Sequence, residues 1–178
     1  MDKFYHVDFL KAYFKDFARP NLYTVDFNLP PLSGTSGDSI TKVEMSAKNV
    51  NIPAFDIGRQ EVKRMGQRFF LPTSQAYGDI QMTLFCDNEY TQRYFLHNWL
   101  KELVYDSDTN IYKKMIVASR ASMVIRQFDN KFNTIFAAEF RFIWPTSISE
   151  IQLSQESDSS IVEFPVTLSY STYNIIKV

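Results

Sequence analysis

FRFIWPTSISEIQLS, residues 140–154, starts as a β-strand, meets Trp144-Pro145 and then starts again. It completes TIFAAEFRFIW, 134–144, whose alternation puts Phe136, Ala138, Phe140, Phe142 and Trp144 on one face and Glu139 and Arg141 on the other. Proline donates nothing to a strand ladder, so a strand normally ends or reaches an edge there. Yet Ile148, Ile151 and Leu153 carry an apolar pattern past the break, where a self-contained domain ordinarily places a polar turn. The expectation is a β-rich fold in which this stretch contacts something beyond the chain's own core.

Outward from this stretch the same period recurs. SIVEFPVTLSYSTY, 160–173, aligns Val162, Phe164, Val166, Leu168 and Tyr170. DIQMTLFCD, 79–87, turns Ile80, Met82, Leu84 and Cys86 inward, and LYTVDFNL, 22–29, alternates likewise. ITKVEMSAKNV, 40–50, reads as a further strand, PPLSGTSGDS, 30–39, as a loop, and KKMIVASRASMVIRQF, 113–128, as two short strands or one bent one. Helical spacing is confined to two segments. In 3–17 it links Phe4, Val7, Leu10, Tyr13, Phe14 and Phe17, with Asp2 as N-cap and Arg19-Pro20 as the stop. In 89–104 it gathers Phe95, Leu96, Trp99, Leu100, Leu103 and Val104 into a stripe, with Asn88 as N-cap. About six or seven strands without strand–helix alternation predict a mainly β fold with some helix. The expectation is an antiparallel sandwich or barrel with a flanking helix, built as one domain over 1–178 without repeats or a dividing linker.

Composition narrows the function classes. The formal charge of −1 supplies no overall field toward nucleic acid or anionic lipid, and no apolar run approaches the roughly 18–20 residues of a membrane span. MDKFYHVDFLKAYF does not read as a signal peptide. A lone Cys86 and the lack of an N-x-S/T acceptor fit assembly in a reducing cytoplasm. A near-neutral chain with 16 Phe, 10 Tyr and only 5 Gly is compatible with extensive self-association.

Chemistry is sparse. His6 and His97 each sit in a helical segment without a Cys or His at ligand spacing, so both read as structural. Cys86 lies at an inward strand position with no base nearby and reads as a small core residue. DSDTN, 106–110, opens like a calcium loop, but Ile111 stands where the loop needs Gly and Val117 where it needs a bidentate acid. No glycine-rich phosphate cradle is present. Catalysis, a cofactor and a bound metal are therefore not expected.

PAFDIGRQEVKRMGQRFFLP, 53–72, reads as a protruding hairpin that is polar on both faces, hence poor core material. It concentrates Arg59, Lys63, Arg64 and Arg68, with Glu61 the acid among them. Three readings stand for this cluster: phosphate contact, a solvated hairpin, and a contact in which the cations meet acids of another subunit. A nucleic-acid-binding barrel would follow from the first.

Three stretches together resemble the tail tube proteins of contractile-tailed, T-even-like bacteriophages. They are DFARPNLYTVDF at 16–27, GRQEVKRMGQRFFLPTSQAYGDIQMTLFCDNEYTQRYFLHNWLKEL at 58–103, and FRFIWPTSISEIQLSQESDSSIVEFPVTLSYSTY at 140–173. The resemblance departs in the loop at 33–39 and at 104–118, so a baseplate tube initiator and a type VI secretion-like tube subunit stand as alternatives. It implies a subunit of hexameric rings that stack into a hollow tube and close their sheets into one large multi-subunit barrel. It further implies a sheath protein around the tube, a baseplate initiator beneath it, and a tape measure protein in the lumen. DNA passes transiently without tight binding, no membrane is a partner, and the virion tail is assembled in the host cytoplasm. In that setting the candidate contacts between subunits or rings are Phe55, Asp56, Arg59, Glu61, Lys63, Arg64, Arg68, Trp144, Ile148, Glu150, Ile151 and Leu153. Asp56, Glu61, Asp79, Glu150, Glu156 and Asp158 are candidate partners for the cations. Ile148, Ile151 and Leu153 turn either onto the subunit's own helix, onto a neighbour, or simply cap the local core.

Overall fold

The computed structural model describes residues 18–29, 37–104, 120–151, 153–154 and 161–176. The expected helix at 3–17, the calcium-like loop at 106–110, Glu156 and Asp158 lie outside these residues. Alternating segments give β1 (Tyr23–Asn28), β2 (Ala47–Val50), β3 (Phe55–Arg64), β4 (Gln67–Tyr77), β5 (Ile80–Phe85) and β6 (Ser122–Phe128). They continue through β7 (Thr134–Arg141), β8 (Trp144–Ile148), β9 (Glu163–Ser169) and β10 (Thr172–Ile176). Two helices join them among the described residues, α1 (Gly37–Met45) and α2 (Thr91–Val104).

The strands form two antiparallel four-stranded sheets, ordered β1-β6-β7-β10 and β2-β5-β9-β8, and a separate hairpin β3-β4. One core lies between the sheets. Val25, Met123, Ile125, Ala138 and Phe140 enter it from the first sheet, and Ile80, Met82, Leu84, Phe164, Val166 and Leu168 from the second. Burying each large side chain contributes about 1.5–3 kcal/mol, so these period-two runs decide the pairing register. From α2, Phe95, Leu96 and Trp99 complete the core, with Trp99 edge-on to Phe27 at 6.4 Å and to Phe95 at 6.0 Å.

Three local expectations are corrected. Residues 40–50 are not one strand: α1 occupies Gly37–Met45, and only Ala47–Val50 pairs, with β5. Within α1 the single fully buried residue is Val43, Thr41 Oγ1 donates to the Gly37 carbonyl, and Lys42 reaches Asp87 and Glu89 at the start of α2. One inward side chain supported by helix-to-helix ion pairs needs no alternating face. The cap of α2 is Asp87 rather than Asn88. Asp87 Oδ1 accepts the Thr91 N–H at 2.8 Å, and Gln92 Oε1 accepts the Asp87 N–H in return. Lastly, Phe142 and Trp144 do not continue the inward face of β7. Phe142 has φ 54°, so the alternation changes phase there: Phe142 is exposed, Trp144 half-buried, and Ile143 fully buried with its N–H on the Ala121 carbonyl.

Candidate assembly surfaces

The restart after Trp144-Pro145 has a local explanation. β8 is an edge strand paired only with β9 among the described residues, so the missing proline N–H leaves no ladder partner unsatisfied. The register slips between Pro145 and Ser147, and Thr146 Oγ1 donates to the Thr167 carbonyl. Beyond β8 the chain turns onto α2, where Arg93 Nη1 donates to the Ser149 carbonyl at 2.9 Å. Ile148 and Ile151 pack half-buried against the core and line a cleft with Tyr90, Tyr94 and His97 of the α2 region. The segment therefore meets the subunit's own helix, and the phase change at Phe142 re-aims it there. Leu153 stays 76% exposed, and Glu150 is exposed as well.

The hairpin is the opposite case. Every residue of β4 and nearly every residue of β3 is exposed. Met65 and Gly66, with φ 50° and 80°, form the tight turn that suits the right-handed twist of the two strands. Gly58 sits at a register shift opposite Thr73 and Ser74, and a Cβ there would come within 2.8 Å of Thr73 Oγ1. From this bulge to the tip the pairing is regular, and residues directly opposite one another share a face.

That register sorts the cations. Arg59, Glu61 and Lys63 lie opposite Pro72, Phe70 and Arg68 on one face. There Arg68 Nε meets Glu61 at 3.4 Å, and the Arg59 guanidinium lies over the Phe70 ring at 5.3 Å. Both are exposed contacts, worth at most about 1 kcal/mol each. Lys63 faces Arg68 directly, a like-charge pair that destabilises an isolated hairpin. The other face carries Gln60, Val62 and Arg64 opposite Leu71, Phe69 and Gln67. The hairpin is thus not polar on both sides: Val62, Phe69 and Leu71 make an exposed apolar strip at 36, 48 and 53%. The run Phe69-Phe70-Leu71 is its signal in the sequence.

The hairpin base is held by aromatic rings. Phe55 lies 5.1 Å from Tyr77, which contacts Tyr170 at 6.2 Å and Tyr173 at 5.9 Å, and Tyr173 stacks on Phe140 at 5.1 Å. Phe55 therefore anchors the hairpin to the sandwich while remaining half exposed, and Asp56 is exposed beside it. Burial, then the neighbouring Tyr173, Tyr77 and Asp79, push the Tyr170 hydroxyl up to about 12. Cys86 is half-buried against the core, and burial raises its thiol above the ordinary value. His97 is exposed. Among the described residues no three His, Cys, Asp or Glu side chains gather as a metal site would require.

The family model described as phage tail tube protein matches residues 18–176. Over 154 residues, 86% of this chain and 88% of the relative, the sequence is 25% identical to tail tube protein gp19 of Enterobacteria phage T4. A chain of the anti-feeding prophage baseplate, solved with 6-fold symmetry, superposes with a TM-score of 0.66 at 8% identity, covering 90% of this chain and 96% of that one. A chain of the sheath–tube complex of an extracellular contractile injection system, in its extended state, gives 0.60 at 11% identity and covers 96% and 97%. At such identities these two establish the shared fold.

Proposed function

The chain belongs to the phage tail tube protein family, and from that premise we propose that it forms the inner tube of a contractile tail as hexameric rings stacked into a hollow conduit for the genome. The observation that carries this reading is the hairpin, which has an apolar strip and a crowded cationic face but, among the described residues, no cover within its own subunit. Each sheet of the described residues also ends in two edges, β1 and β10 in one, β2 and β8 in the other. Edges of this kind invite strand addition, and continuation from subunit to subunit around a closed ring removes them. A lateral contact that closes by rotation makes the ring, and an axial contact that does not close makes the filament.

The subunit performs no catalysis in this reading; its work is assembly. A sheath surrounds the tube, by analogy with the sheath–tube complex that shares the fold. A tape measure protein fills the lumen, a baseplate initiator templates the first ring, and assembly takes place in the host cytoplasm. DNA travels through without being held. Arg68 and Arg59 already have partners on the hairpin, in Glu61 and the Phe70 ring, which lowers the number of cations presented to phosphate. Native mass spectrometry of the purified protein tests the ring: a six-subunit species is expected, and dimers alone would overturn it. A DNA mobility-shift series in salt tests the conduit, since salt-dependent retention at physiological ionic strength would favour a nucleic-acid-binding barrel instead.

A further inference from the structure

Where the two sheets approach along β1 and β2, the sandwich is open. Tyr23 Oη donates to the Ala47 carbonyl at 3.1 Å and bridges these edges, and around the bridge runs a groove of about 1130 Å³. The charged side chains that line it are already engaged. Asp26 pairs with Arg126, Glu44 accepts the Phe27 N–H, and Lys48 pairs with Glu163 at 2.6 Å. Asn49 Oδ1 likewise accepts the Thr83 N–H at 3.0 Å. What the groove still offers is apolar. Val50 and Phe85 are half-buried in it, Ile52 is 46% exposed and Met45 is 83% exposed.

We propose that this groove is filled by residues 3–17 of the same chain, docked as an amphipathic helix. An occupant suited to such a surface presents apolar side chains and needs no charge from the wall, and the sequence supplies one next to the groove. Residues 3–17 carry Phe4, Val7, Leu10, Phe14 and Phe17 at helical spacing, with Lys3, Asp8, Lys11 and Lys15 between them. As a helix the segment is about 22 Å long, and the groove follows the chain from Pro20 to Asp26, roughly 20 Å of extended backbone. The point of attachment decides which copy supplies it. Pro20 and Asn21 line the groove, and Gln127 Nε2 holds the Arg19 carbonyl beside them at 3.0 Å. Only Ala18, Arg19 and Pro20 intervene, a connection as short as those usual between a helix and the strand it packs on. A tether of this length presents the segment at an effective concentration in the millimolar range, which a second copy in dilute solution does not match. The stripe closes the open side of the sandwich, and the lysines stay in water. The inference goes beyond the tube reading, since it concerns the single subunit and holds whether or not rings form.

The test is methionine oxidation of the full chain by dilute hydrogen peroxide, read by peptide mass spectrometry at protein concentrations below assembly. Met65, in the hairpin turn and 97% exposed, serves as the reference within the same molecule. Met45 is expected to oxidise several-fold more slowly than Met65, at a rate independent of protein concentration. Leu10→Asp combined with Phe14→Asp should bring Met45 up to the rate of Met65. Equal rates in the unaltered chain overturn the inference, as does protection of Met45 that survives the double substitution. Protection that grows with protein concentration assigns the groove to another copy and overturns it too. A disulfide trap serves where the double variant fails to fold. Val7→Cys with Ile52→Cys, in a Cys86→Ser background, should close within the monomer on oxidation, whereas Val7→Cys with Leu153→Cys should not. Equal closure of both pairs, or products joining two copies, would contradict the docking. None of these readouts requires rings, so their failure leaves the tube reading standing, and a failure to form tubes leaves the docking in place.

Discussion

Tyr170 ends in a buried hydroxyl that meets no hydrogen-bond partner among the described residues, although its ring packs edge-on to Phe140 at 5.0 Å. A buried hydroxyl without a partner costs roughly 1–3 kcal/mol, so its removal should not hurt the fold. Tyr170→Phe is expected to leave stability unchanged or raise it by up to about 1 kcal/mol in urea denaturation; a loss larger than that would mean the hydroxyl has a partner. The wild-type tyrosine also sets an alkaline limit. Its folded value lies above the ordinary 10.0, at about 12, so the neutral form is the one the fold favours. Its contribution is complete below the unfolded value and is lost as pH rises between these two values, a decline that Tyr170→Phe should reduce. Asp87 sets the acid limit. Burial pushes its carboxyl up, but hydrogen bonds from Thr91 and the charge of Lys42 outweigh this and hold it below the usual value. The cap is thus at full strength above the unfolded carboxylate range, near about 3.9, and fails as pH falls through the lower folded value. Asp87→Ala is expected to cost about 1 kcal/mol near neutrality, and Asp87→Asn to flatten the acid limb of a stability–pH profile.

The elements show what pattern reading catches and what it misses. β5, β7, β9 and α2 are legible because each buries a long, unbroken period of side chains. α1 reads falsely as a strand because ITKVEM is short and β-branched, and one buried valine satisfies either period. The inward run of β7 extends too far in the sequence because a single positive φ at Phe142 reverses the phase, a backbone choice no side-chain pattern announces. The hairpin is legible as a protrusion but not in its faces. The bulge at Gly58 resets the alternation, and only the register shows that Val62, Phe69 and Leu71 fall together. Since these three lie exposed on a projecting element, Phe69→Asp should shift monomer stability by less than about 0.5 kcal/mol while abolishing sedimentable assemblies. A matching loss of monomer stability would place the strip in the fold rather than in a contact. Arg64→Glu and Arg68→Glu are expected to weaken assembly, and wild-type assembly to weaken with rising salt. Variants that assemble as well as wild type across the salt series would remove the proposed pairing of these cations with acids of a neighbour.

At the scale of the molecule, a stable sandwich coexists with surfaces that a lone subunit does not need. The core is closed by α2, yet Met45, Phe70, Leu153 and Ile175 are exposed on separate elements. Scattered apolar exposure is ordinary, but an apolar strip gathered on a projecting hairpin is the mark of an interaction site. The resemblance in the sequence anticipates the family and the assembly role, because the quoted segments span most of the chain. The most direct test of the tube subunit is negative-stain electron microscopy of the purified protein across a concentration series. Rings and hollow filaments with a central bore are predicted once the concentration suffices; dispersed monomers throughout the series, or solid filaments without a bore, would contradict it.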